Sequence, residues 1–98
     1  MEIKGRLAPF IAAVEAAEEG QRLAHKEVRD SVIELGALMD ERTRLIALGA
    51  SPASARLELL MEEELRARAE LSLARELLRD AEQHLARKRQ ALRAALGQ

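Results

Sequence analysis

Two histidines, His25 and His84, and a run of three glutamates, Glu62, Glu63 and Glu64, are the side chains here best suited to chemistry. An imidazole can bind a metal or move a proton, and neighbouring carboxylates can hold a cation or act as acid and base. Each set lacks the company it needs. Neither histidine has a second histidine or a carboxylate at a recognised ligand spacing. The chain has no cysteine, which removes thiolate ligands, a thiol nucleophile and disulfides together. Consecutive glutamates on a helix point in different directions, and Glu62 with Arg66 and Glu64 with Arg68 stand at the spacing of ordinary i,i+4 pairs, the pattern of a solvated face. There is no glycine-rich phosphate loop and no Ser–His–Asp arrangement. The expectation is a chain without catalysis, cofactor or metal.

One further charged feature is the run HLARKRQALRAALGQ, in which Arg87, Lys88, Arg89 and Arg93 meet no acidic residue. It can be read as a contact for nucleic acid or an anionic surface. It can also be read as the basic end of a helix, where cations suit the dipole, lying near Glu15, Glu18 and Glu19. Whole-chain charge favours the second reading. Sixteen basic residues against seventeen acidic ones leave a net charge of −1, so no global field draws the chain to a polyanion. Phe10 is the only aromatic residue, so there is no stacking platform for bases.

The elements that carry these residues follow from hydrophobic spacing. Alternate steps of four and three from Ile3 meet Leu7, Phe10, Val14, Ala17, Gln21, Ala24, Val28, Ser31, Leu35, Leu38, Arg42 and Leu45. Only Gln21, Ser31 and Arg42 interrupt a heptad seam. A second walk meets Leu57, Leu60, Glu64, Ala67, Leu71, Ala74, Leu78, Ala81, Leu85, Lys88, Leu92 and Ala95, broken only at Glu64 and Lys88. Its leucines tend to alternate with alanines, small residues that admit a close neighbour.

Between the walks, Gly49 can end a helix in the left-handed conformation, while Ser51 and Pro52 offer an N-cap and a first-turn proline. A stop and a start this close make a bend, not a domain linker. The fold class predicted is all-α: an antiparallel two-helix hairpin with helix 1 over about 8–48, a bend at 49–53 and helix 2 over about 54–96, forming a single domain of residues 1–98. Each helix is about 60 Å long at 1.5 Å per residue. Residues whose numbers sum to about 102 should meet, which brings Glu15, Glu18 and Glu19 near Arg87, Lys88 and Arg89, and Arg42 and Arg44 near Glu58 and Glu62. It leaves His25 and His84 about 10 Å apart along the axis, too far to share a metal. Pro9 predicts that the regular helix starts near Ala8. Gly20 and Gly36 read as sites of close helix packing, weak spots or bends.

The apolar content exceeds what one hairpin seam can cover. Ile11, Val32, Met39 and Ile46 form a second stripe beside the first seam, and Met61, Leu73, Leu77 and Leu96 lie off the second, with Leu59 and Leu65 further round. A face this wide belongs to a helix with more than one neighbour. The candidate partner-binding residues are Ile11, Val32, Met39, Ile46, Leu73 and Leu77. The partner is a second copy completing a four-helix-bundle homodimer, or another protein's helix in a hetero-complex. No stretch of about 18 uncharged apolar residues provides a membrane span. The N-terminal segment lacks the unbroken apolar run of a signal peptide, and the lack of cysteine suits a reducing compartment, so the expected location is cytoplasmic.

RLAPFIAAVEAAEEGQRLAHKEV, followed by a heptad segment, a short bend and a helix ending LLRDAEQHLARKRQALRAAL, resembles the FliJ-type central stalk proteins of flagellar and type III secretion export machines. That resemblance implies an antiparallel hairpin inserted in a hexameric export ATPase and contacting a gate or chaperones. The length and plan are also similar to the WXG-type secreted hairpins, which dimerise into four-helix bundles, although the bend LGASPAS here carries no Trp. The function expected is a protein–protein interaction module of adaptor, stalk or chaperone type. The alternative is a self-assembling structural bundle, followed by an anionic-surface binder acting through Arg87, Lys88, Arg89 and Arg93.

Overall fold

The computed structural model describes residues 2–52 and 54–97, with side chains described from residue 5 onward. The first seam residue, Ile3, therefore has its side chain outside that description, and Ala53 of the predicted bend lies outside it entirely. Two helices account for nearly all of the rest: α1, Glu2–Ala47, and α2, Ala55–Leu96. They form an antiparallel all-α hairpin, as the two heptad walks predict. No strand occurs among the described residues.

The heptad seam is where burial falls. Along α2 every residue of the walk is buried or half-buried, and along α1 the described residues of the walk are too, apart from Phe10 at the margin. Two compact units can be distinguished: Met1–Lys26 with Glu76–Gln98, and Glu27–Arg75. In the second unit Leu35, Ala67 and Leu71 form a buried cluster flanked by Val28 and Leu38, and Leu60 is wholly enclosed. In the first unit Leu7, Ala17, Leu85 and Ala95 are buried. Within each unit, several seam residues whose numbers sum to 102 set large opposite small: Leu35 with Ala67, Val28 with Ala74, Ala17 with Leu85, Leu7 with Ala95. Alternation of this kind fills the space between two close helices at interior density.

Three local features depart from the sequence reading. First, α1 begins at Glu2 and runs through Pro9 instead of starting near Ala8. Proline leaves the carbonyl of Gly5 without its usual donor, but Leu7 has a buried seat on the seam, and burying a leucine is worth about 1.5–3 kcal/mol, comparable with the penalty of an internal proline. Second, the N-cap of α2 is Ser54, not Ser51. The Leu57 N–H donates to Ser54 Oγ at 3.4 Å and the Glu58 N–H to the Ser54 carbonyl at 3.0 Å. The Ser51 carbonyl instead accepts from the Ser54 N–H at 2.9 Å, closing the turn that Pro52 opens. Third, a Cβ built on Gly20 or Gly36 meets nothing within 4 Å, so neither glycine serves close packing inside the hairpin.

The end of α1 follows prediction. Gly49 has φ +86°, its N–H donates to the Ile46 carbonyl and the Ala50 N–H to the Leu45 carbonyl, both at 3.0 Å. These are the two bonds of a Schellman cap, and they satisfy carbonyls that the helix end leaves open.

Candidate interaction edge

Cross-helix contacts fix which residues share an edge. On one side of the seam, Arg68 Nη2 lies 3.9 Å from Met39 Sδ in the second unit, and Arg89 Nη2 lies 3.7 Å from Glu18 Oε2 in the first. Both pairs sum to 107. On the other side Arg56 donates to Glu41, a pair that sums to 97. In an antiparallel heptad pair the residues flanking the seam fall five above and five below the seam's own sum, so these contacts return 102 for the seam itself.

The same count places the apolar stripe. Stepping by heptads from the observed contacts, Ile46 is level with Met61 and Val32 with Arg75 on the Met39–Arg68 edge. In the first unit Ile11 is level with Leu96 and His25 with Glu82 on the Glu18–Arg89 edge. Ile11, Val32, Met39 and Ile46 are all exposed, as are Met61 and Leu96. Leu77 and Leu73 are exposed as well, but their heptad positions belong to the Glu41–Arg56 side. Within the second unit Val32, Met39 and Ile46 thus share an edge with Met61, and within the first Ile11 shares one with Leu96, two α2 neighbours which the candidate set omitted. Heptad position was the signal that could have found them. Both stand directly after a d-type seam residue, Leu60 and Ala95, as Ile11, Val32, Met39 and Ile46 do.

The opposite edge of the second unit is acidic. Glu34, Glu63 and Glu70 line a shallow depression with Arg66 over Leu38 and Ala67. There Glu41 accepts from Arg56, and this hydrogen bond, with its charge attraction, raises the Arg56 pKa above its ordinary value.

Within the seam, Glu64 is 7% exposed and accepts from Arg42 Nε at 2.7 Å. This corrects two expectations at once. The Glu62–Glu64 run is not uniformly a solvated face, and Arg42 reaches Glu64 across the hairpin instead of Glu58 or Glu62. Arg68, freed from the i,i+4 role expected with Glu64, lies against Met39. Glu19 is held by Arg22 at 2.6 Å, and that hydrogen bond lowers its carboxyl below the ordinary value.

The basic residues at the end of α2 do not share a face. Lys88 is half-buried on the seam, Arg89 pairs with Glu18, Arg87 Nε donates to the Gln83 carbonyl of its own helix at 3.4 Å, and Arg93 is exposed at yet another heptad position. His25 and His84 are exposed on different edges. Among the described residues no group of three or more His, Asp or Glu comes together as a metal site, and no helix is long and apolar enough to cross a membrane.

No family model, curated protein or solved structure matches this chain.

Proposed function

We propose that the chain is a helical-hairpin protein–protein interaction module that works through apolar side chains beside the seam, Val32, Met39 and Ile46 with Met61 in one unit and Ile11 with Leu96 in the other, without catalysis. The observation that supports this reading is the placement of large apolar side chains at one heptad position beside a seam that is already filled. Met39 and Met61 suit such a surface, since thioether side chains adapt to an irregular partner. Residues needed only to hold the hairpin would lie on the seam, and these do not.

Lysine at Val32 and at Met39 tests the reading, because each would add a third cation to an edge that, within the second unit, already carries Arg68 and Arg75. The expected result is loss of protein binding with the far-ultraviolet circular dichroism unchanged. Unfolding would instead assign the stripe to the hairpin's own core and sink the proposal. The stalk role implied by the FliJ-type resemblance is the most specific form of this reading. It predicts specific retention of a hexameric export ATPase on the immobilised hairpin, abolished by the same lysines.

A further inference from the structure

Within the unit Glu27–Arg75, one edge is apolar and basic together. Its apolar column is Val32, Met39 and Ile46 from α1 with Met61 from α2, all exposed. Arg68 stands level with Met39 and Arg75 level with Val32. The next heptad position outward on each helix adds two more charged groups, Arg29 on α1 and Glu58 on α2, so this face carries three exposed cations and one exposed anion. The acids one position further round, Asp40 and Glu62, stand on the sides of their helices opposite the seam. Among the described residues none of the three arginines has a carboxylate at ion-pair distance, because Glu64, four residues before Arg68, is taken by Arg42 and no other acid reaches them.

Gly36 adds an independent observation on the same face. It stands one turn from both Val32 and Met39, and a Cβ there would meet nothing within 4 Å. Nothing inside the hairpin therefore offsets what a glycine costs the helix. Bare backbone at that point lets a second helix approach α1 more closely than a side chain would permit.

We infer that this edge docks an acidic amphipathic helix of a partner protein, seated along α1 from Val32 to Ile46, passing closest at Gly36 and presenting carboxylates to Arg29, Arg68 and Arg75. The inference rests on the interaction-module reading and names the partner's chemistry. Val32 to Ile46 spans about 21 Å, so the docked segment has about four turns. Its apolar stripe recurs at the heptad spacing of the column, as when a helix lies in a groove. Its acids belong to the half nearest Val32, because the arginines lie there and Glu58 lies at the bend end. A guanidinium without a partner of its own offers such a carboxylate paired, charge-assisted hydrogen bonds. Lysine at Val32 or Met39 still prevents docking, since its ammonium would lie beneath the helix, where desolvation outweighs attraction to carboxylates at the flank.

The test is fluorescence anisotropy of two labelled synthetic helices titrated with the full chain. Each has about 18 residues with leucine at its a and d positions, and the flanking positions are Glu in one and Lys in the other. The Glu-flanked helix is expected to bind at least about tenfold more tightly, less so as salt is raised. Arg68→Gln with Arg75→Gln should erase that preference, and Arg68→Glu with Arg75→Glu should reverse it. Gly36→Leu should weaken the Glu-flanked helix at least about tenfold, while circular dichroism and a urea midpoint no lower than the wild type's show the hairpin intact. Equal binding of the two helices, weakened by lysine at Val32 and Met39, would overturn the acidic partner and leave the interaction-module reading standing. Binding that those lysines leave untouched would remove both. Indifference to Gly36→Leu would overturn the close passage over α1. Neither helix bound at millimolar concentration would overturn the inference outright. A dimer in sedimentation equilibrium that Gly36→Leu dissociates would give the edge to a second copy instead, and adsorption to phosphatidylserine vesicles with neither helix bound would give it to an anionic membrane surface.

Discussion

At the scale of single residues, the least expected is Glu64, a carboxylate buried in an apolar seam and satisfied by Arg42 at 2.7 Å. Truncating Arg42 to methionine strands that charge, and the expected loss is about 3 kcal/mol of unfolding free energy in a urea titration. Replacing both residues with apolar ones of similar size should recover most or all of it, since the pair's own desolvation then disappears. Gly20 and Gly36 give the opposite case. Each sits inside a helix with open space where a Cβ would go, so alanine at either position should stabilise the isolated hairpin by about 1 kcal/mol, read as a higher urea midpoint at unchanged slope. The two glycines looked alike in the sequence to glycines kept for close packing. The difference lies in what stands opposite them, and a single chain read without its partner helix does not contain that.

At the scale of elements, the connection between α1 and α2 carries most of the local specification. Gly49 at φ +86° occupies a region that other residues enter at a cost of about 1–2 kcal/mol, so Gly49→Ala should lower stability by about that much even though its Cβ would meet no neighbour. Calorimetry or urea unfolding would measure it. Both helices, the bend and an approximate seam register were legible because one signal, heptad spacing, specifies burial and pairing together. The starting points of the helices were not. Pro9 argued for a start near Ala8, but the buried seat of Leu7 outweighs it, and Ser51 and Ser54 compete for the cap on equal local chemistry. The apolar edge of each unit was legible only on α1. The α2 members, Met61 in the second unit and Leu96 in the first, were passed over for Leu73 and Leu77 because being off the seam does not say on which side.

At the scale of the whole molecule, 48% apolar residues on a two-helix plan leave more hydrophobic surface than one seam can absorb. If a second copy covers it, stability is inseparable from concentration, and the thermal midpoint should climb as the chain is concentrated from 1 to 100 μM. A midpoint flat across that range, with helicity intact, would place the whole of the stability within one hairpin. The antiparallel plan also sets an order of events in folding. Cross-helix partners near the bend are close in sequence, with Arg56 and Glu41 separated by 15 residues, Arg42 and Glu64 by 22, and Arg68 and Met39 by 29. Closing a loop costs entropy only logarithmically in its length, so once the first pair is made each later one extends a zipper at little further loss. On a ribosome, α1 emerges with its seam bare and waits there. Its bend-proximal residues find partners as soon as the first turns of α2 appear, whereas Leu7 and Ala17 stay uncovered until almost the last residues of the hairpin have been made.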